Sequence, residues 1–514
     1  MNLKTWNRSG TRVATLAAVL AVAGVAGVAG VAGCGKMGGS KETEGTGSAA
    51  TTGVIKVGHY ASMTGSEATF GVSTDNGIRL ALEERNKAGG VKGRQIEIIT
   101  LDTASKAADG GTVVTRLITG DHVVALLGEV SSSITLAGGD VAQKLGVPDI
   151  SPSSTNVRVT DLGDMVSRVC FTDDFQAWVV AKFLRENLKF DRVAIMYDQS
   201  QAYSKGLAEY FRKSFPELGG KIVADEAYSG GNPDASAQLQ TIKESGAQAL
   251  FLPGYYGDAG NFMKQAKQKG ILIPFIGADG WDSVDLVKIA GDAANGNYFS
   301  NHYSHEEKRP EVQSFVQAYQ AKFHSTPDGL AALGYDAARV LFDAMDRSAN
   351  LDGKTLAAAI AATKDFKGVT GLITMDAKRN AQKKAVVLKI VNGAPTLVAD
   401  IYPEGMVHEG AAPIAPPTPT LPPDGKDMQG SGSSAAGSSA AVDAVKPAPS
   451  VAPAKQQVLG DNHGAAAAAK GKDLKISPAM TEHATVRDAA ARASAGKGGG
   501  PATGTKADPE EGGE

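Results

Sequence analysis

Between Val54 and Pro403 the apolar residues recur at two different spacings, and each change of spacing marks where a strand gives way to a helix. VIKVGHY (54–60), QIEIITL (95–101), RVAIMYD (192–198) and KIVADEAY (221–228) read as strands. VVALLG (123–128), VPDIS, ALFLPGY and PFIGAD are shorter apolar runs suited to strands buried on both faces. Helical spacing fills the intervals. GIRLALEERNKAGG puts Ile78, Ala81, Leu82 and Arg85 on one face and stops at Gly89-Gly90. TVVTRLIT, FQAWVVAKFLREN, YSKGLAEYFRKSF, Asn261 to Lys269 and Ser283 to Ala290 continue the alternation. NYFSNHY (297–303) is read as a recrossing, followed by helices over Pro310 to His324, Leu330 to Ser348 and Lys354 to Thr363. FKGVTGLITMD, AVVLKIV and APTLVADIY then return to strand character. Strands and helices alternating over short connections predict an α/β chain with parallel, doubly wound sheets. Roughly 350 residues exceed what one core normally holds, so the segment divides into two Rossmann-like lobes.

Composition changes this picture mainly at the two ends. With 42% hydrophobic and 21% charged residues the chain of 514 residues is ordinary globular material, and a net charge of -3 with no basic stripe gives nucleic acid no footing. The only cysteines are Cys34 and Cys170, too few for a disulfide framework. Lys4, Arg8 and Arg12 precede an uncharged stretch from Val13 to Cys34, the pattern of an export signal. Its end, Val31-Ala32-Gly33-Cys34, resembles the bacterial lipobox, which implies cleavage after residue 33 and acylation of Cys34. The expectation is a signal peptide (1–33), a flexible tether (34–53) and a protein lipid-anchored on the extracytoplasmic side of the cell envelope, facing the periplasm or the outer surface. From Glu404 to Glu514 there is no Phe, Tyr, Trp or Cys, and Ala, Gly, Ser and Pro dominate. That tail (404–514) is expected to be disordered.

Candidate chemistry concentrates in GEVSSSITLAGGDVAQKLGVPDISPSST (128–155). Two strand ends, each followed by a hydroxyl-rich turn, lie one helix apart, so Ser131, Ser132 and Ser133 face Ser153, Ser154 and Thr155 across a crevice at the sheet's carboxyl edge. Either turn alone is explained by helix capping. Two converging turns without Lys or Arg instead suit a small carboxylate, gripped by hydroxyls and helix N-termini.

Taken in order, VIKVGHYASMTGSEATFG, GIRLALEERNKAGGVKGRQIEIITLD, LLGEVSSSITLAGGDVAQKLGVPDISPSST, CFTDDFQ and FIGADGWDS resemble the leucine/isoleucine/valine-type extracytoplasmic binding proteins over Val54 to Pro403. That resemblance implies the type I fold: an N-terminal lobe (54–172 plus 301–372) and a C-terminal lobe (173–300 plus 373–403), joined by three crossings and closing on ligand about a hinge. It implies that Ser132 and Thr155 bind the ligand α-carboxylate, with Ser153 and Ser154 beside them, and that Asp279 receives the ammonium. It places Tyr203, Tyr255 and Tyr335 in the aromatic wall, with Phe70 in place of a Tyr, and sets the bulky Trp281 beside Asp279. The cysteine pair found in some members is missing, which leaves Cys170 as a buried free thiol. Asp279 also has a capping reading, for the helix after Asp282; Tyr203 and Tyr335 have packing readings within their own helices.

Other chemistries have little support. No G-x-S-x-G elbow and no phosphate-binding G-x-x-x-x-G-K-[ST] loop occurs in the ordered region. His302 and His305 have an H-x-x-H spacing with no cysteine near, read as solvated surface rather than zinc ligands. Asp173-Asp174 is read as a cap for a helix starting at Phe175. The expectation is therefore a monomeric, non-enzymatic receptor without cofactor or metal, closing on a branched-chain or other apolar amino acid and delivering it to an ABC permease. The alternative is a receptor that reports the same kind of ligand to a regulatory partner.

Overall fold

The computed structural model describes residues 53–403 together with Gly405. The segments expected to be signal peptide and tether, Cys34 with them, and the expected tail, Gly405 apart, lie outside the described residues. β1 (Ile55–Ala61), β2 (Ile96–Asp102), β3 (Ala125–Leu127), β4 (Asp149–Ser151) and β5 (Val166–Arg168) form a parallel sheet in the order β2-β1-β3-β4-β5. β6 (Arg192–Asp198), β7 (Lys221–Tyr228), β8 (Ala249–Phe251), β9 (Phe275–Gly277) and β10 (Tyr298–Asn301) belong to a second sheet. A hairpin of β11 (Phe366–Gly368) and β12 (Gly371–Ile373) stands apart, and β13 (Ala385–Val391) and β14 (Ala394–Ile401) complete the second sheet as β14-β13-β10-β9-β8-β6-β7. Only β13 runs against the other strands there, antiparallel to β10 on one side and to β14 on the other, the turn to β14 passing through Asn392 and Gly393 at φ 51° and 77°.

The helices that carry the chain back between strands are α1 (Ala68–Lys87), α2 (Ala107–Thr119), α3 (Ser132–Leu145), α4 (Arg158–Asp161), α5 (Asp173–Lys182), α6 (Ala202–Glu217), α7 (Ser236–Glu244), α8 (Tyr256–Gln268) and α9 (Val284–Ala290). α10 (Pro310–Phe323), α11 (Gly329–Arg347) and α12 (Gly353–Ala361) follow β10 and pack on the first sheet's side. The chain therefore passes between the two layers after β5, after β10 and after β12. The short strands β3, β4, β5, β8 and β9 are buried throughout, as helices on both faces of a parallel sheet require.

The structure departs from the sequence pattern in a few places, each with a physical reason. NYFSNHY opens as a strand, Tyr298–Asn301 pairing with β9 on one side and β13 on the other, and the chain leaves the second sheet after Asn301. α5 starts at Asp173 rather than Phe175, with Thr172 as the N-cap residue, so Asp173 lies inside the first turn. β5 has no apolar signature because Arg168 occupies it, fully buried. α7, SAQLQTIKE, buries only Leu239 and Ile242 and gives too thin an apolar stripe to stand out.

α11 is buried almost all the way round, and it approaches α1 backbone to backbone. A Cβ built on Gly77 would lie 2.0 Å from the carbonyl oxygen of Ala331, so glycine sets the spacing of this pair. Gly77→Val is expected to force the helices apart and cost about 1–3 kcal/mol, read as a lower urea midpoint with an unchanged m-value. Cys170 is fully buried, and burial pushes its thiol up to about 12. It is expected to react with Ellman's reagent only as the protein unfolds, and labelling at the native rate of an exposed thiol would contradict this packing.

Candidate ligand-binding site

The two hydroxyl-rich turns are stitched together by their own side chains. Ser154 Oγ donates toward the carbonyls of Glu129 and Val130, each at 2.9 Å, and lies 2.6 Å from Thr135 Oγ1. Ser151 Oγ bonds the Glu129 carbonyl at 3.0 Å, and the backbone N–H of Asn156 donates to Ser132 Oγ at 3.3 Å. Arg168 fixes the second turn from beneath: its guanidinium donates to the carbonyls of Ser154 (2.8 Å) and Val157 (3.2 Å) and to Thr160 Oγ1 (3.3 Å). A buried cation is thereby spent on carbonyl oxygens that point away from a helix start. The Ser154 hydroxyl is consumed by this scaffold, whereas Ser153 Oγ and Thr155 Oγ1 are buried and have no partner. Ser132 and Thr155 stand next to one another, because Ser132 receives the N–H of the residue after Thr155.

Facing these turns is a carboxylate with an unusual set of partners. Asp279, 4% exposed, accepts from Tyr203 Oη at 2.7 Å and Gln176 Nε2 at 2.9 Å, and its other oxygen lies 3.2 Å from His302 Nε2. Burial lowers His302 to about 4 against the opposing pull of Asp279, so the imidazole is neutral near pH 7 and donates through Nε2. All three partners are uncharged. A buried carboxylate so placed has donors but no counter-ion, and a ligand ammonium would supply one. Asp279 does not cap the following helix, because Ser283 does so, its Oγ accepting from the N–H of Asp285. His302 is fully buried and stacked on Phe171 at 3.6 Å, so the surface reading of NHYSHEE fails for it. Among the described residues no group of three or more His, Cys, Asp or Glu is placed to hold a metal ion.

The aromatic residues separate into a wall and bystanders. Tyr203 and Tyr255 stack with ring centroids 5.2 Å apart and planes 4° apart, and Phe70 meets Tyr255 edge-on at 5.6 Å. Tyr335 does not join them: its hydroxyl bonds Glu84 on α1 and its ring packs on Phe315. That places it in the helix layer, where its packing reading applies. Trp281 turns its indole against Gly277 of β9 within the core, rather than over Asp279. Sequence reasoning gave no role to Gln176, His302 and Arg168, and it read Asp173 only as a cap. Both Asp173 carboxylate oxygens are buried, and burial raises the group well above its ordinary value against the opposing pull of the neighbouring Thr155 hydroxyl.

Contacts across the cleft hold the two sides together. Ser131 Oγ meets Tyr255 Oη at 3.1 Å, Tyr256 Oη donates to the Ser66 carbonyl at 2.8 Å, and Thr69 Oγ1 lies 2.9 Å from Ser283 Oγ. Asn156 Nδ2 donates to the Ala202 carbonyl at 2.8 Å, and the Ala202 N–H donates to Ser133 Oγ at 3.1 Å. The structure is thus a closed one, its polar groups shut between two α/β layers.

Two doubly wound lobes, crossed three times by the chain and closed on a cleft of hydroxyls opposite an uncompensated acid, define a hinged solute receptor. Residues 54–394 match the periplasmic binding protein family, and the chain belongs to that family, in its type I, branched-chain amino acid branch. It is 30% identical over 326 residues, 63% of this chain and 86% of the relative, to the leucine-, isoleucine-, valine-, threonine- and alanine-binding protein of Pseudomonas aeruginosa. A branched-chain amino acid transporter substrate binding protein from Streptococcus pneumoniae, solved in complex with isoleucine, is 34% identical with a TM-score of 0.64, over 68% of this chain and 99% of that one. A solute binding protein of an ABC transporter from Rhodopseudomonas palustris, in complex with 3,4-dihydroxybenzoic acid, is 27% identical with a TM-score of 0.62, over 68% and 97%. Members of the family bind solutes without transforming them, and this chain is not an enzyme.

The buried groups pull the pH dependence of stability in opposite directions over the same acid-to-neutral range. Burial raises Asp149 to about 7, the Tyr60 hydroxyl opposing it, and raises Asp328, next to Asp282, to about 7. Carboxyls protonated more readily when folded bind more protons in the native state, so stability falls as pH rises from about 4 to about 7. His302 acts oppositely: the unfolded imidazole takes a proton that the folded one refuses, and stability rises with pH between about 4 and 6.5. In a melting-temperature series against pH, Asp149→Asn is expected to lessen the fall in stability between about pH 4 and 7, and His302→Gln to remove the opposing rise between about pH 4 and 6.5. Parallel curves for both variants and the parent would contradict these assignments.

Proposed function

We propose that this chain is the extracytoplasmic, lipid-anchored receptor of an ABC-type importer, and that it closes on a free L-amino acid. The observation that carries the ligand class is the pairing of Asp279, bonded only by neutral donors, with the unpartnered hydroxyls of Ser153 and Thr155 beside Ser132. A zwitterion answers both ends: its carboxylate takes the hydroxyls and turn N–H groups, and its ammonium takes Asp279. Because the two ends are held by different lobes, the ligand favours the closed state by whatever affinity it has for closed over open. Tyr203, Tyr255 and Phe70 shield the rest of the molecule from water. The names of the relatives support an amino acid, and a lone aromatic carboxylate would leave Asp279 without a cation. The anchoring part of the reading rests on Val31-Ala32-Gly33-Cys34.

A thermal-shift panel of the natural amino acids, small amides and benzoates tests the ligand class. An amino acid present at about 100 times its Kd adds about 2.7 kcal/mol of stability, a shift of several degrees. Asp279→Ala or Thr155→Ala is expected to weaken binding about 10- to 100-fold, the worth of one charge-assisted hydrogen bond. A response confined to benzoates would reject the zwitterion. Cys34→Ala is expected to abolish palmitate labelling and release the protein from membranes, and continued labelling would refute the anchor.

A further inference from the structure

At the far end of the aromatic wall from Asp279 the cleft finishes on a second acid. Glu67 immediately precedes α1, is 4% exposed, and its Oε2 has no hydrogen-bond partner. Its neighbours lock it between the two sides: Ser66 accepts the Tyr256 hydroxyl through its carbonyl, and Phe70 lies edge-on to both Tyr255 and Tyr256. The groups that act on the carboxyl most strongly are Glu129 and the Ser131 hydroxyl on its own side, and Asp198 and Asp258 across the cleft; none is a cation. Ser131 is also the residue that bonds Tyr255. A line of contacts therefore runs from Asp279 through Tyr203 and Tyr255 to Ser131, whose hydroxyl opposes the rise that burial imposes on Glu67.

Neither a structural role nor a metal accounts for this acid. Glu67 sits at the N-cap position of α1, yet its side chain makes no capping bond. It forms no ion pair, and an apolar residue would fill the space without desolvating a carboxyl beside others. Burial and then Glu129 raise the group to about 8, so in the ligand-free cleft it is mostly protonated near pH 7. No metal-binding group of three or more side chains exists among the described residues. What remains is an unpartnered buried oxygen one turn from Phe70, the ring that meets Tyr255.

We infer that Glu67 receives a cationic side chain, so that the cleft takes a basic amino acid, with a terminal ammonium or guanidinium, in preference to leucine, isoleucine or valine. This deepens the reading proposed above and rests on it. The α-carboxylate lies at the Ser132 and Thr155 turns, the α-ammonium at Asp279, and the aliphatic stem runs along the Tyr203–Tyr255 stack. The second positive charge reaches Glu67 and Ser131, in a negative field that Glu129, Asp198 and Asp258 reinforce. Aromatic faces beside a cation add to the attraction. Leucine would fill the wall but leave Glu67 Oε2 unpaired in a dry site. A basic ligand ionises the Glu67 carboxyl on binding, and the proton leaves to solvent.

Calorimetry with lysine, ornithine, arginine, leucine and isoleucine at pH 7, in two buffers of different ionisation enthalpy, tests this. At least one basic amino acid is expected to bind about 10- to 100-fold more tightly than leucine, with release of close to one proton. Glu67→Leu is expected to reverse the preference and abolish the proton release, and Glu67→Gln to remove the proton release while weakening the basic ligand. Folding of both variants is checked by circular dichroism, and Glu67→Leu is expected to melt higher than the parent at pH 8. Tighter binding of leucine or isoleucine than of every basic amino acid by the parent overturns this inference while leaving the amino-acid reading intact. So does a Glu67→Leu variant with the parent's preference. Failure to bind any amino acid overturns both.

Discussion

The arrangement depends on a negative charge that the protein surrounds with neutral donors and leaves without a counter-ion. Asp279 lies just past β9, and Tyr203, Gln176 and His302 reach it from α6, α5 and the position after β10. Each partner comes from a different element, so the site exists only when the second sheet is complete. A lysine at any of these positions would satisfy the carboxylate internally and leave nothing for a ligand to add. Neutral donors hold the group in place without quenching it.

The opposite side solves the complementary problem. There the protein needs hydroxyls and N–H groups free to donate, so their carbonyl neighbours must be held back. Arg168 does this from inside β5, spending a fully buried guanidinium on Ser154, Val157 and Thr160. Ser151, Ser154 and Thr135 are used to weld one turn to the other, leaving Ser153 and Thr155 uncommitted. Hydroxyls that look equivalent in a run thus divide into mortar and binding groups.

Much of the architecture could be read from periodicity alone, because short apolar runs separated by amphipathic stretches admit few other solutions. The paired turns were visible for the same reason, since one helix separates them. What escaped were interactions between residues distant in sequence: Gln176 and Asp279 lie 103 residues apart, and Thr160 and Asn380 lie 220 apart. Nothing local in CFTDDFQ or NHYSHEE reveals that Gln176 and His302 converge. β5 was missed because only Val166 of its three residues is apolar, with Ser167 and Arg168 completing it. Tyr335 misled because an aromatic at a matched position packs in the helix layer as readily as it lines a cleft. Glu67 carried no signal at all, since an acid ahead of a helix is ordinary until its burial is known.

The order in which the chain visits its two layers has a consequence for biogenesis. After β10 it goes back to build α10, α11 and α12 on the first side, and only then supplies β13, which covers the open edge of β10. A nascent polypeptide halted before Ala385 would present that edge as an unpaired template for aggregation. The second sheet is complete only once synthesis passes Ile401. Late, long-range closure of this kind favours slow folding, since the pairing that completes the sheet joins segments far apart in the chain.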